Sequence, residues 1–480
     1  MYMLDNNSEF SVVNASDVNN SLAVYENKML GYMAQMGLPI DGILVPINER
    51  KKIIKNFEDV VYELRAEDIG EARYISKFLA AATAGLFDAA LNYLWDETVY
   101  QLRKRIANYD IEYFYDVAVS TEKRKKLSGI EDLCKLDDSE LIQGAKEIDM
   151  ISDVGYNRLD YIKYMRNWAS AAHPNQTELT GMQLISWLET CIKEVINLPN
   201  SSVTIETGRF LKNLKEKAFS DEEVQAFTSF VGNLTTEKVN NLAAGLFGIY
   251  YRSETELYVR DNVKQVFPLI WERISEDTKN EFGIKYARFA VNGDVTEAQN
   301  ARELLEMVDG QAYFPEEIRV TELGNAIDQL NDAHNGLNNF YREPTFALQL
   351  KRVAGKKEIP SQINKKYVLA LIDCYIGNGY GTCWDAEGIY TELIEGFNQE
   401  QITIAVFTIM DEHISSMLQL KSCSKKYLEM ISIIKDKNTS PAVGEIIEMI
   451  ENRPDSLQYM RKDSVVRQQV ETRQKILGLA

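Results

Sequence analysis

Asp88 to Ile106 reads DAALNYLWDETVYQLRKRI, and the placement of its apolar residues sets the fold class. Leu91, Leu94, Trp95, Thr98, Leu102 and Ile106 recur at spacings of three and four, which lines them along one face of an α-helix. That face is predicted to be core, with Asp96, Glu97 and Arg103 projecting elsewhere. The helical reading extends upstream to Ile69, with Gly85 as its one break. The apolar run inside it, Phe78 to Phe87, lies between Lys77 and Asp88 and is shorter than the ~20 residues of a membrane span. It reads as a buried helix.

The same pattern continues in both directions. Upstream, helical patterning starts near Leu22, breaks at Gly37-Leu38-Pro39 and resumes from Arg50 to Leu64. Downstream, Ser139 to Lys146 follows Asp137 and Asp138, either of which is an acceptable helix cap. A further helix begins near Asp153 and is expected to reach about Ala172, because proline at 174 disfavours helical geometry just before it. Gly181 to Ile196 carries Leu184, Trp187, Leu188, Cys191 and Val195 in helical register, and Asn197 to Ser202 reads as a domain boundary. Beyond it, amphipathic helices alternate with capped turns such as Phe219 to Glu223, without a fixed period that would name a repeat family.

Ten prolines and 26 glycines in 480 residues are too few to punctuate a chain of short strands, so the fold class is all-α. The length exceeds the roughly 250–300 residues one core sustains. The expected organisation is an N-terminal helical segment (1–68), a helical domain (69–197) and a C-terminal α-helical region (198–480) forming an irregular bundle or solenoid. No basic, apolar-cored leader opens the sequence, so the expected location is the cytoplasm, with no membrane association expected.

Five cysteines, an odd number without a CxxC pair, fit reduced thiols better than disulfides or a zinc site. No HExxH, aspartate cluster or Ser-His-Asp arrangement can be assembled, so neither a metal nor another cofactor is expected. Gly377 to Thr382 (GNGYGT) matches no phosphate loop and reads as a turn between helices, with Gly379 or Gly381 free to adopt left-handed geometry. The net charge of −19 repels nucleic acid from the molecule as a whole, so an enzyme acting on it would need a local basic surface or a confining groove.

One segment carries chemistry. In RNWASAAHP, Arg166 and His173 stand seven residues apart, which in a continuous helix is within about 20° of two full turns. Ser170 falls between them on that face and Asn167 flanks it. A permanent cation, a titratable imidazole and small polar groups would then converge over about 10 Å.

Arginine followed by a polar residue, then four to six residues and histidine near a helix end, resembles the active-site motif of the HEPN ribonucleases. The stretch around it, roughly residues 70–197, is similar to that family's small helical bundle, with DAALNYLWDETVYQLRKRI matching an early helix that bears an acidic residue. The resemblance implies a metal-independent endoribonuclease in which the RNA 2′-hydroxyl is the nucleophile. His173 would move the proton and Arg166 would stabilise the phosphorane oxygens, leaving 2′,3′-cyclic phosphate and 5′-hydroxyl ends. Asn167 would orient Arg166 or contact phosphate, and either Glu97 or Asp96 would orient the arginine from the neighbouring helix.

Arg103-Lys104-Arg105 and Lys123-Arg124-Lys125-Lys126 are the basic stretches nearest in sequence, with Ser170 as a further RNA contact and Tyr109, Tyr113 and Tyr115 as surfaces on which bases would stack. The family pairs two motifs, whereas His334 and His413 have no arginine at the required distance, so a homodimer is implied. Family habit further implies a toxin or antiviral defence effector that cuts tRNA or mRNA, with the C-terminal helices sensing a trigger or regulatory protein. The alternative is a non-catalytic α-helical scaffold that binds another protein, which the acidic charge favours.

Overall fold

Side-chain caps start many of the helices where Ser, Thr, Asp or Asn precedes an apolar run. Asn14, Asp137, Ser152, Thr180 and Ser220 each accept a hydrogen bond from a backbone N–H of the first turn, a contribution of about 1 kcal/mol apiece. The structure, a computed structural model, describes residues 14–65, 69–169 and 178–476. Among these the chain is all-α, 77% helical and without strands. No helix there is long and apolar enough to cross a membrane.

The chain divides into two compact units, Met1–Tyr250 with Glu254–Ile274, and Tyr251–Ser253 with Ser275–Ala480. The first contains α1 (Ala15–Gln35), α2 (Ile47–Val61), α3 (Arg73–Ala84), α4 (Phe87–Ala107), α5 (Ile111–Ala118), α6 (Asp138–Glu147), α7 (Asp153–Trp168), α8 (Gly181–Cys191), α9 (Ser202–Glu216), α10 (Asp221–Gly232), α11 (Thr236–Tyr251, to Tyr250 within this unit) and α12 (Leu257–Trp271). Helix α4 is its centre, packing on α3, α6, α7 and α8. Leu91, Leu94, Leu102 and Ile106 are fully buried and Trp95 nearly so, as their spacing predicts, each aliphatic side chain contributing about 1.5–3 kcal/mol. Gly85 ends α3 with φ 91°, the left-handed conformation that glycine adopts without a Cβ clash.

Two expectations change. Helix α1 begins at Ala15 rather than near Leu22, because Asn14 and Asp17 form a reciprocal capping box. More consequentially, the unit does not end at 197. Ser201 Oγ donates to Asp149 Oδ2 at 2.8 Å, Thr204 Oγ1 to the Asp149 carbonyl at 2.9 Å, and Arg105 to the Val195 carbonyl at 2.7 Å and to Asn200 Oδ1 at 2.9 Å. The polar run that resembles a linker is thus a helix cap tied into the first unit, and a truncation near residue 200 would cut through that unit. Nor is 68 a division, since α2 packs on both α3 and α8.

Gly181 opens α8 where it meets α2, and an added Cβ would stand 2.2 Å from the Glu49 carbonyl oxygen. Lys52 and, next, the Gly181 N–H, which donates to Glu49 Oε2 at 2.9 Å, hold that carboxyl below its ordinary range. Gly181→Ala is expected to force backbone apart at a cost of about 1–3 kcal/mol, read as a lower urea midpoint with an unchanged slope.

The second unit contains α13 (Glu276–Asn292), α14 (Val295–Met307), α15 (Glu316–Asn335), α16 (Asn339–Ala354), α17 (Ser361–Ile376), α18 (Trp384–Glu395), α19 (Gln399–Phe407), α20 (Glu412–Met417), α21 (Lys421–Lys435), α22 (Pro441–Glu451) and α23 (Ser464–Ile476). Helices α15 and α16 form an antiparallel pair, and α17 packs on α15, α18, α19 and α21. One hydrophobic core runs from Leu323 to Val470. The GNGYGT turn between α17 and α18 carries positive φ at Gly377, Gly379 and Gly381.

Candidate functional site

Helix α7 buries Leu159, Ile162 and Met165 along one stripe, and Arg166 follows the last of these at the edge of that stripe. Its side chain is only 28% exposed. Nε donates to Asn92 Oδ1 of α4 at 3.1 Å and Nη1 to Asn167 Oδ1 at 3.0 Å. Nη1 also lies 3.5 Å from Asp138 Oδ2, and that carboxylate accepts from Trp95 Nε1 at 2.7 Å. Among the described residues nothing bonds Nη2. The guanidinium is therefore oriented through Nε and Nη1 by residues of three helices.

Sequence reasoning missed Asn92 and Asp138. The signal for Asn92 is its position four residues before Asp96, which places both on one face of α4. Asp138 has no such signal, because it comes from another helix and its sequence context suggests only a cap. Asp137 is the cap of α6, which leaves the neighbouring carboxylate for Arg166 and Trp95.

Neither Asp96 nor Glu97 is within ion-pair distance of Arg166 among the contacts of the described residues; Asp138 is. Glu97 is 1% exposed and points to the start of α3, accepting from the Tyr74 backbone N–H at 3.2 Å and from Gln101 Nε2 at 2.8 Å. It does not orient Arg166. Asp96 lies in the electrostatic range of Arg166, and its carboxyl is raised above its ordinary value by burial and by Asp138, against the pull of Arg166 and Lys77.

A carboxyl raised in the folded state favours folding most below its unfolded pKa, and that contribution is lost as pH rises through the folded value. Ionised Asp96 is thus a net cost at neutral pH. Asp96→Asn is expected to leave the melting temperature at pH 7 unchanged or higher, with the difference disappearing as pH falls through the carboxylate range near ~4. A lower melting temperature at pH 7 would mean that attraction to Arg166 outweighs burial.

Helix α7 stops at Trp168, where the Ala169 N–H bonds the Met165 carbonyl, and not at Ala172. Ser170 and His173 lie outside the described residues, and because α7 ends at Trp168 the continuous helix that their sharing a face with Arg166 requires does not extend to them.

The basic stretches are largely consumed within the fold. Arg124 is buried, with Nε 2.7 Å from Asp116 Oδ1, Nη1 2.6 Å from the Leu127 carbonyl and Nη2 on Glu112. Lys123 pairs with Glu140 and Lys104 with Glu71, while Arg105 is tied to backbone and its pKa is lowered by burial. Arg103 is half-buried, and Lys125 and Lys126 are exposed. Three of the seven cations, Lys104, Lys123 and Arg124, are paired with carboxylates and Arg105 is held by carbonyl oxygens, which leaves Lys125 and Lys126 as the exposed part of these stretches.

The tyrosines between the stretches are core as well. Tyr113 and Tyr115 are buried, Tyr109 packs against Gly208 and Tyr113 against Gly245. Burial raises the pKa of all three, that of Tyr115 to about 12. Two exposed aromatics lie on α7 itself. Tyr161 and Tyr164 are each about half exposed, with Tyr164 5.7 Å from the Trp168 ring, centroid to centroid, and Tyr161 6.3 Å from that of Trp187. Tyr161 and Trp187 line a cleft of about 450 Å³ between α7 and α8.

Around Arg166 the neighbouring carboxylates are Asp96 and Asp138; the set of described residues best suited to hold a metal is elsewhere, at His334, Glu343 and Cys374. Comparison of the chain with protein-family models finds none that matches, and comparison with curated proteins and with solved structures finds no significant match.

Proposed function

We propose that the chain is a metal-independent endoribonuclease of HEPN type, with Arg166 and His173 as its catalytic pair. The observation that carries this reading is the arginine itself. Arg166 is held near the end of α7 by Asn92 and Asn167, with Nη2 unspent among the described residues, seven residues before His173. A guanidinium fixed this way can receive phosphate oxygens without first losing the freedom of a long side chain.

RNA brings its own nucleophile, so the protein need supply only proton transfer and charge stabilisation. His173 takes the 2′ proton or protonates the leaving 5′ oxygen, and a second copy of the chain provides the partner histidine in a homodimer. Tyr161, Tyr164 and Trp168 offer surfaces on which unpaired bases stack. Growth arrest as a toxin or in defence against phages, under control of the C-terminal helices, is the physiological role that fits such an activity in the cytoplasm.

The test is incubation of the full chain with total tRNA and mRNA, adding EDTA at the start of the reaction. Cleavage that leaves 2′,3′-cyclic phosphate and 5′-hydroxyl ends supports the proposal. The second reading, a non-catalytic scaffold, is favoured by Asp138 and Asp96 beside Arg166, which already give the cation partners inside the fold. Absence of cleavage on every RNA tested, in a protein shown to be dimeric, would favour it.

A further inference from the structure

His334 near the end of α15, Glu343 in α16 and Cys374 in α17 come from positions 9 and 31 residues apart, a spacing that matches no metal motif. The fold brings them together. One donor atom from each lies within 4.8 Å of the others, and the three side chains are at most 2% exposed. His334 Nδ1 is 3.1 Å from Glu343 Oε2, and Tyr390 donates to Glu343 Oε1 at 2.8 Å while its hydroxyl also meets the Cys374 thiol. His334 Nε2 is buried without a hydrogen-bond partner.

Without a cation this cluster is poorly balanced. A carboxylate at 0% exposure faces a phenol and an imidazole, and among the described residues no lysine or arginine is within ion-pair distance of it. The partnerless His334 Nε2 and the enclosed Glu343 carboxyl are costly to bury together without a further partner. We propose that His334, Glu343 and Cys374 hold one divalent ion of the zinc type. The ion with one thiolate and one carboxylate is electrically neutral, and imidazole, thiolate and carboxylate are the donors zinc accepts.

The geometry is within reach. Bonds of about 2.0–2.3 Å set adjacent donors of a tetrahedral shell roughly 3.3–3.6 Å apart, which small side-chain rotations achieve here. Tyr390 supplies the outer hydrogen bond that orients the carboxylate, and a water completes the shell. All three ligands are enclosed, so the ion would tie α15, α16 and α17 together. It would brace two turns, since Asn378 Nδ2 donates to the His334 carbonyl at 2.8 Å and Cys383 Sγ lies 3.4 Å from the Phe340 carbonyl. Those turns display Leu337, Tyr341, Tyr380 and Trp384, all at least 80% exposed.

The experiment is a cobalt(II) titration of the full chain after stripping with a strong chelator, with far-ultraviolet circular dichroism to confirm folding. One equivalent is expected to produce tetrahedral d–d bands and a thiolate-to-cobalt charge-transfer band. Zinc should displace both and raise the melting temperature of the stripped protein by roughly 10 °C. Cys374→Ala and His334→Gln should lose the charge-transfer band, and Cys134→Ala, at the exposed thiol, should keep it. A folded wild-type chain that gives no charge-transfer band overturns the proposal, as does a band that survives in folded Cys374→Ala. The readout is spectroscopic, so it stands or falls separately from RNA cleavage.

Discussion

His173→Ala is expected to lower the RNA cleavage rate by about 10²–10⁴-fold while the protein stays folded, because general acid–base catalysis by a positioned imidazole contributes on that scale. Arg166→Ala should cost about 10²–10³-fold, the loss that follows removal of one preorganised group at a developing oxyanion. Arg166→Lys should not restore the rate, since a point charge cannot reproduce the forked contact with two phosphate oxygens. The double mutant should be little worse than the poorer single one, as expected of groups that act together. Asn92 provides the check on positioning. Its side chain holds Nε of Arg166 at 3.1 Å and in this arrangement has no contact with RNA, so Asn92→Ala should lower kcat with little change in KM. Circular dichroism separates these outcomes from unfolding, which matters for Arg166→Ala because it leaves Asp138 and Asp96 facing each other without the cation. Wild-type rates in all of these variants would remove the catalytic reading and leave the scaffold.

The helices were legible because their signals are local. Apolar spacing along α4, the Asp137 cap of α6 and the left-handed Gly85 are each decided by residues within a turn or two of one another, and the structure reproduces them. What the sequence could not convey is which cations are spent. Arg105 finds its acceptors at Val195 and Asn200, some ninety residues away, and Asn197 to Ser202 looks like a linker until Asp149 and Arg105 are brought to it by the fold. The same holds at the candidate site. Arg166 stands out in a motif, whereas Asn92 and Asp138, which orient it, precede it by 74 and 28 positions on two other helices. His334, Glu343 and Cys374 are the extreme case, since three helices must pack before the cluster exists.

Arg124→Ala is expected to destabilise the first unit by about 3–5 kcal/mol, the cost of removing one partner from a buried ion pair. Asp116 is the reason. Its side chain is 2% exposed and receives Nε of Arg124 at 2.7 Å, so the truncation leaves a carboxylate in the core with its main counter-charge gone. Glu112 and the Leu127 carbonyl lose donors at the same time, and the guanidinium no longer covers the Tyr115 ring, 5.6 Å away. Arg124→Lys should recover part of the loss but not all, because one ammonium cannot span three acceptors. Combining Arg124→Met with Asp116→Asn should cost less than the two single changes added together, since the pair is removed as a unit and neither charge is stranded. Urea unfolding measures each value. An RNA-binding role for this arginine makes the opposite forecast, with unchanged stability, weaker RNA binding and a salt dependence shallower by about one phosphate contact. The two outcomes cannot both hold for Arg124, and the burial of Asp116 favours the first. Of that basic stretch, the exposed Lys125 and Lys126 are then the residues whose substitution should alter RNA affinity while leaving the urea midpoint in place.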